Sequence, residues 1–333
     1  MRRGTAAGDE DAEWDSPETI AEIRRILAAR HEVIAIEADD GAYENLRAAR
    51  PDFVFNMAEG AGGAGRESFI PTLLERFGIP YLGADPTALG VCLHKAHCKE
   101  VLLAHALPTA PFVVWDSPGR RLPPFGLPAV VKPLHEGSSK GITDRCLVRT
   151  AADLMREVER IVGVYRQPAI VEKFLPGREF TAAMLGNGAS LEILPLVEVD
   201  FSALPDGSNP IYSYEAKWIW DVPSRPLNVF HCPAIVEDDL RREIESICRE
   251  AFVVLGCRDW CRVDLRLDER GRPSILEVNP LPGILPRPEE NSCFPKAARA
   301  AGMDYAALVH RVLDIALRRC GLPVSEEAAA STV

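Results

Sequence analysis

The chain reads as a mixed α/β and α+β protein, with a parallel α/β unit at its N-terminus followed by α+β units. Three observations predict this. Helical stripes and strand-like runs alternate up to residue 86, and six prolines punctuate loop-and-strand sequence from 108 to 128. Near the C-terminus, two period-two runs, 262–267 and 275–279, put polar side chains where strands are usually apolar. An alternating order argues for a parallel sheet, and paired alternating runs argue for a hairpin.

Residues 17–30 place Ile20, Ile23, Ile26 and Leu27 on one helical stripe, with Ser16 and Pro17 as cap and first turn. A surface helix on a sheet is expected there. Strand-like 32–36, a helix over 42–50, strand-like 52–56, a helix over 69–77 and strand-like 79–82 complete the first unit. A boundary is expected at Pro86. Residues 88–105 read as one helix, 129–133 as a strand, 151–162 as a helix and 169–174 as a strand. Residues 180–184 and 191–199 alternate like antiparallel strands, and helices follow around 237–255 and 303–319. The expected units are therefore 1–86, 87–171 and 172–333, and only the last ten residues look low in complexity.

At 333 residues and 47% hydrophobic, the chain is long and apolar enough for two or three buried cores. A net charge of -11 and a pI near 5.3 argue against a general nucleic-acid or anionic-membrane surface. The first residues carry two arginines with no apolar run behind them, unlike a secretory signal, and no apolar segment is long enough for a membrane span. Nine cysteines without paired spacing suit reduced thiols in a cytoplasmic protein. Cys92, His94, His97 and Cys98 are zinc-ligand types within seven residues. No second pair follows at finger-like spacing, so they read as ordinary helix residues.

The chemistry concentrates in the C-terminal hairpin. Residues two apart on a strand share a face, so Arg262 and Asp264 point one way and Glu277 and Asn279 share a face. Val263, Leu265, Leu276 and Val278 are expected on the opposite side. Two carboxylates about 4 Å apart repel by roughly 4 kcal/mol at an effective dielectric near 20, so a cation between them is required. Mg²⁺ fits, because it takes hard oxygen ligands and keeps substrate phosphates in its shell. A solvated hairpin face paired through Arg262 is the competing reading.

Residues 60–65 spell a G-x-G-x-x-G pattern between a strand and a helix, which matches a dinucleotide fingerprint on paper. Glu59 before it and Glu67 at the helix start would both repel a pyrophosphate. A second phosphate candidate is Lys132 at a strand end, followed by Gly137, Ser138, Ser139 and Gly141. Its backbone amides and hydroxyls can close over phosphate oxygens, and such mobile loops exclude water. Third, Glu172 and Glu179 flank an apolar Phe174-Leu175 pair, a composition suited to a purine and its ribose.

In this order the motifs resemble the ATP-grasp superfamily, and within it the D-alanine–D-alanine ligase branch, from about Asp15 to Leu317. The resemblance rests on residues 54–60, 78–83, Lys95 with Lys99, 131–133, 137–139, 172–173, 177–179, 212–217, 262–264 and 277–283. It implies an ATP-grasp fold behind a parallel N-terminal domain, with a nucleotide between two α+β subdomains. It places Lys95, Lys132 and Lys217 on phosphates, Ser138 and Ser139 on a closing loop, and Glu172, Lys173, Phe174, Leu175 and Glu179 around adenosine. Asp264, Glu277 and Asn279 would hold two Mg²⁺ ions, for which Mn²⁺ is a substitute. Arg262 and the Gly283 amide would stabilise the tetrahedral intermediate, with Lys217 and Ser139 as further catalytic groups.

Ser292, Tyr214 and Trp218 would meet the amino-acid substrates. The implied reaction is dipeptide formation from ATP and two amino acids through an acyl phosphate, in a cytoplasmic homodimer without nucleic-acid or membrane partners. Three departures bear on the substrate. Residues 1–14 contain no glutamate-bearing first strand, so either that strand is missing or the true start lies upstream. Trp218 stands where tyrosine or phenylalanine is common. The stretch 284–295 is longer than usual, which affects the match of Ser292. The alternatives are a same-fold ligase joining other amino acids, an NAD(P)-dependent oxidoreductase using Gly60 to Gly65, and an inactive nucleotide-binding scaffold.

Overall fold

The computed structural model describes Asp9, residues 13–118 and residues 122–324. Most of the stretch 1–14, where the first strand is expected to be lacking, and nearly all of the low-complexity tail lie outside the described residues. The first helix, α1 (Pro17–Leu27), is capped by Ser16, whose side chain accepts from the Thr19 amide. It buries Ile23, Ile26 and Leu27 against the C-terminal helix rather than a sheet, and Ile20 is left 44% exposed. After α2 (Ala42–Ala49) and α3 (Phe69–Phe77), the expected parallel sheet is reduced to one parallel bridge, Val54 to Tyr81. Residues 32–36 form no strand. Val33 and Ile36 pack partly buried, but their backbone finds no strand partner.

The helix expected over 88–105 is two helices, α4 (Pro86–Leu93) and α5 (Lys95–Ala104). His94 between them is extended, and its side chain caps α5 by accepting from the His97 amide. The break places Lys95 at the start of α5.

A four-stranded antiparallel sheet follows, from β1 (Phe112–Trp115), β2 (Ala129–Pro133), β3 (Leu147–Val148) and, after α6 (Ala151–Tyr165), β4 (Ala169–Lys173). Its order is β1-β4-β2-β3. Ala129, Val131, Ala169 and Val171 bury one face against Leu154, Val158 and Ile161 of α6. Lys132 and Glu172 lie on the other face. Lys173, the last residue of β4, pairs with Ala129 of β2.

The second sheet contains β5 (Glu179–Leu185), β6 (Glu192–Ile193), β7 (Val197–Val199), β8 (Phe230–His231), β9 (Trp260–Leu267) and β10 (Pro273–Asn279), with α7 (Asp238–Val254) between β8 and β9. The strand expected over 191–199 is thus two short ones, divided at Leu194 and Pro195. The order is β10-β9-β5-β7-β8, with β6 on β5. One face buries Val263, Leu265, Ile275 and Val278 against Ile244 and Cys248 of α7. The other is covered at one end by α8 (Cys293–Ala300), absent from the sequence reading, and α9 (Tyr305–Arg319). Its remaining part is open and faces the first sheet. No helix among the described residues is long and apolar enough to cross a membrane.

Candidate active site

The β9–β10 hairpin sets the floor of the site. Asp264 stands opposite Glu277 and Arg262 opposite Asn279, so all four side chains meet in one patch. The register shifts between Ile275 and Glu277, and this bulge corrects the simple alternation. Ile275 and Val278 take the buried face, while Leu276 turns into the cleft instead of the core. Arg262 spans Asp264 through Nε at 3.1 Å and Nη2 at 2.9 Å, and Thr181 donates to the same carboxylate at 2.8 Å. In the amide orientation that satisfies its neighbours, Asn279 donates to Glu277 at 2.8 Å and accepts from Arg262 at 3.0 Å.

The facing sheet contributes a buried cation–carboxylate group. Glu172 is 2% exposed and lies 2.5 Å from the Lys132 ammonium and 2.8 Å from that of Lys99. Burial opposes its ionisation, but the two lysines outweigh that and hold the carboxyl down at about 2. Lys95 donates to the Glu136 carbonyl at 2.6 Å and lies 3.5 Å from Glu277. Lys217 sits on a π-helical turn, Ala216–Trp220. Burial and then the nearby Arg262 charge lower its ammonium to about 8, and among the described residues no carboxylate lies within ion-pair distance. A cation held this way favours an incoming anion.

The loop after β2 carries Ser138 and Ser139 in left-handed conformation, φ 49° and 60°. Such strain at non-glycine residues persists where surrounding structure enforces it. Ser139 donates to the Tyr212 carbonyl at 3.0 Å, and the Trp218 indole donates to the Ser138 carbonyl at 3.1 Å. Glu179 is paired with Arg266 at 3.0 Å, and the Arg266 guanidinium lies over the Phe174 ring at 4.8 Å. Ser292 accepts from the Leu285 amide and donates to the Gly283 carbonyl at 3.2 Å.

One cleft of about 530 Å³ is lined by every residue to which the family resemblance assigns a nucleotide, metal, catalytic or substrate role, except Tyr214. Tyr214, whose amide donates to the Ile142 carbonyl, is not among the lining residues, and Tyr212 lines the cleft instead. Sequence reasoning missed Arg266, Glu13 and Asp15, gave Lys99 no role beyond its place in a motif, and read Glu59 and Glu67 only as groups that would repel a pyrophosphate. Arg266 was findable, since it continues the i, i+2, i+4 series of Arg262 and Asp264. Glu13 was not, because nothing in sequence brings it to the Gly137 amide and to Arg66 Nη2 at 2.5 Å.

Cys92, His94, His97 and Cys98 hold no metal geometry. His94 caps a helix, its ring stacks on His97 at 3.6 Å, and both cysteines are buried. Among the described residues, no group of three or more His, Cys, Asp or Glu side chains could by itself hold a metal ion.

Two antiparallel sheets closing on a cleft with lysines from one, carboxylates from the other, and a strained serine loop define an ATP-grasp ligase. The family model described as D-ala D-ala ligase C-terminus matches residues 106–314. The chain is 37% identical over 255 residues to a D-alanine–D-alanine ligase of Bordetella avium, covering 76% of this chain and 74% of that protein. An uncharacterized protein of Sinorhizobium fredii, y4sG, is 36% identical over 297 residues, 87% of this chain and 84% of its own length.

The crystal structure of D-alanine–D-alanine ligase from Bacillus anthracis complexed with ATP shares the fold, with a TM-score of 0.71 at 21% identity, over 94% of this chain and 95% of that one. The chain belongs to the D-alanine–D-alanine ligase family, and is an ATP-dependent ligase that forms a carbon–nitrogen bond. Neither an oxidoreductase nor an inactive scaffold finds support. None of the glycines at 60–65 lines the cleft, whereas Glu59 and Glu67 on either side of them do.

Proposed function

We propose that the protein condenses two amino acids, in the cytoplasm and as a homodimer, with ATP between the 87–171 and 172–333 units. The observation that carries this reading is the convergence of Lys95, Lys132, Lys217 and Arg262 with Asp264, Glu277 and Asn279 in one cleft. The carboxylate of the first amino acid attacks the γ-phosphorus of ATP and releases ADP. The amine of the second attacks the resulting acyl phosphate, phosphate leaves from the tetrahedral intermediate, and the surplus amine proton passes to solvent.

Little covalent work falls to the protein; positioning and charge stabilisation dominate. Lys95, Lys132 and Lys217 hold phosphates, with Lys132 kept in place by Glu172. Lys173, Phe174, Leu175 and Glu179 surround adenosine, the Ser138–Ser139 loop covers the phosphates, and Arg262 with the Gly283 amide meets the oxyanion. Ser292 and Trp218 border the amino acids, and Tyr214 acts through the loop that carries Tyr212.

The donor set fits Mg²⁺ and not zinc. Two facing carboxylates and an amide oxygen are a partial hard-oxygen shell, of the kind that substrate phosphates complete. Asp264, Glu277 and Asn279 would hold two such ions, which when bound neutralise charge on the phosphate oxygens.

Amino-acid-dependent ADP release tests the reading across pairs of D- and L-amino acids. Asp264→Asn is expected to lower the rate at least about 100-fold with the circular-dichroism spectrum retained. Equal rates in wild type and variant would refute it, as would thermal stabilisation by NAD(P)H in place of Mg-ATP.

A further inference from the structure

Loop 60–65 packs one wall of the cleft with carboxylates. Gly60 has φ +78°, and a Cβ there would lie 2.6 Å from the Arg66 carbonyl oxygen. Glycine alone lets the backbone fold back so tightly, bringing Glu59 beside Arg66 and Glu67. Glu13 and Asp15 line the same wall.

Of the nearby cations, Arg66, Lys95, Lys99, Lys132 and Lys140 are already engaged, while Lys217 has no carboxylate within ion-pair distance among the described residues. Arg66 is bound to Glu13 and to the His135 carbonyl, at 2.5 and 2.7 Å. Lys95 faces Glu277, Lys140 faces Glu136 at 3.2 Å, and Lys99 and Lys132 share Glu172. Asp15, Glu59 and Glu67 have no hydrogen bond or ion pair among the described residues. Glu67 is only 9% exposed, yet it lines the cleft. A buried carboxylate without a partner is costly, and Glu67 shares its wall with the half-buried Asp15 and Glu59.

Their acidities register the deficit. Burial raises Asp15 to about 6 and, with the Glu13 charge and against Arg66, raises Glu67 to about 7. Burial and then Glu67 and Glu13 push Glu59 well above the usual range. The three do not converge as a metal-binding group, so a compact cation is not what they await. An extended one, with charges several bonds apart, can reach them separately.

We propose that Asp15, Glu59 and Glu67 form a subsite for a second cationic group, so that this ligase takes a diamino acid as one of its two substrates. The proposal rests on the ligase reading. Of two neutral amino acids the first brings one ammonium and the second must present its amine unprotonated to attack, which leaves at least two of the three carboxylates unmatched. A diamino acid brings a second ammonium, set apart from the first by a hydrocarbon stem.

Calorimetric titration tests this, with the full-length protein loaded with Mg²⁺ and a non-hydrolysable ATP analogue. The ligands are the two enantiomers of ornithine and the two of norleucine, which has the same shape and a methyl group in place of the terminal ammonium. One ornithine enantiomer is expected to bind at least about tenfold more tightly than either norleucine. Glu67→Gln and Glu59→Gln are expected to remove most of that difference while analogue binding persists. Equal affinities, tighter norleucine, no binding of either amino acid to the loaded protein, or an unchanged ratio in both variants would overturn the subsite. Failure of the analogue itself to bind would bring down the ligase reading and the subsite with it.

Discussion

Lys217 and Glu172 are two buried charges with opposite accounts. Lys217 has no anionic partner among the described residues and its ammonium sits at about 8, so above that pH a growing fraction of the unliganded protein is neutral there. ATP phosphates favour the ammonium, so binding at higher pH must take up a proton. The Mg-ATP dissociation constant is therefore expected to rise by up to about tenfold per unit above pH 8. Calorimetry between pH 7 and 9.5 checks this, and Lys217→Arg, which stays charged, should flatten the curve.

Glu172 is held at about 2, below its ordinary 4.5. Between these values the unfolded state binds the proton and the folded one does not, so stability rises with pH in that window. The contribution, on the order of 3 kcal/mol, is complete above about pH 4.5 and is lost as pH falls through 2. Urea midpoints at pH 5 and pH 3 should differ accordingly.

At the scale of elements, two segments are tied across the cleft. The 137–142 loop is held to the 212–218 segment by Ser139 to the Tyr212 carbonyl, Tyr214 N–H to the Ile142 carbonyl at 2.7 Å, and Trp218 to the Ser138 carbonyl. The Trp218 bond is the exposed member, on a side chain 37% accessible. Trp218→Phe keeps the ring and removes the donor. It is expected to lower kcat by roughly tenfold through looser closure, while folding stability changes by no more than about 1 kcal/mol. A thermal-unfolding midpoint that falls by about ten degrees would show instead that the bond belongs to the fold.

At the scale of the molecule, Asp259 joins three regions. It is fully buried at φ 66° and accepts from the Gly83 amide at 2.9 Å, from Asn187 at 2.9 Å, and from Arg319 at 2.7 and 2.8 Å. Arg319 in turn donates to the Tyr81 carbonyl at 2.7 Å. One carboxylate thus ties the N-terminal unit, the turn after β5 and the last helix. Asp259→Ala leaves buried donors without an acceptor, and a loss of about 3 to 5 kcal/mol is expected in urea unfolding. The thermal midpoint should fall with it, and a change below about 1 kcal/mol would contradict the tie.

Much of this was legible in local pattern. The hairpin from 262 to 279 announces its face by alternation, because a strand's side-chain period is two and the polar residues stay in phase through Asp264 and Asn279. Amphipathic stripes located α2, α3, α6, α7 and α9 for the same kind of reason. The order of the motifs was enough to identify the ligase family.

What tertiary structure decided is whatever depends on partners distant in sequence. The bulge at Leu276 arises from pairing with β9 and reverses that side chain's expected face. His94 breaks a continuous helical pattern where the Lys95 amide bonds to the Leu134 carbonyl. Residues 32–36 look like a strand but lack a neighbour, since a strand is completed by another strand's backbone. Most of all, the carboxylates at 13, 15, 59 and 67 carry no shared period or spacing. Only the folded protein brings them to one wall, because electrostatic repulsion and burial act through space and leave no trace in sequence order.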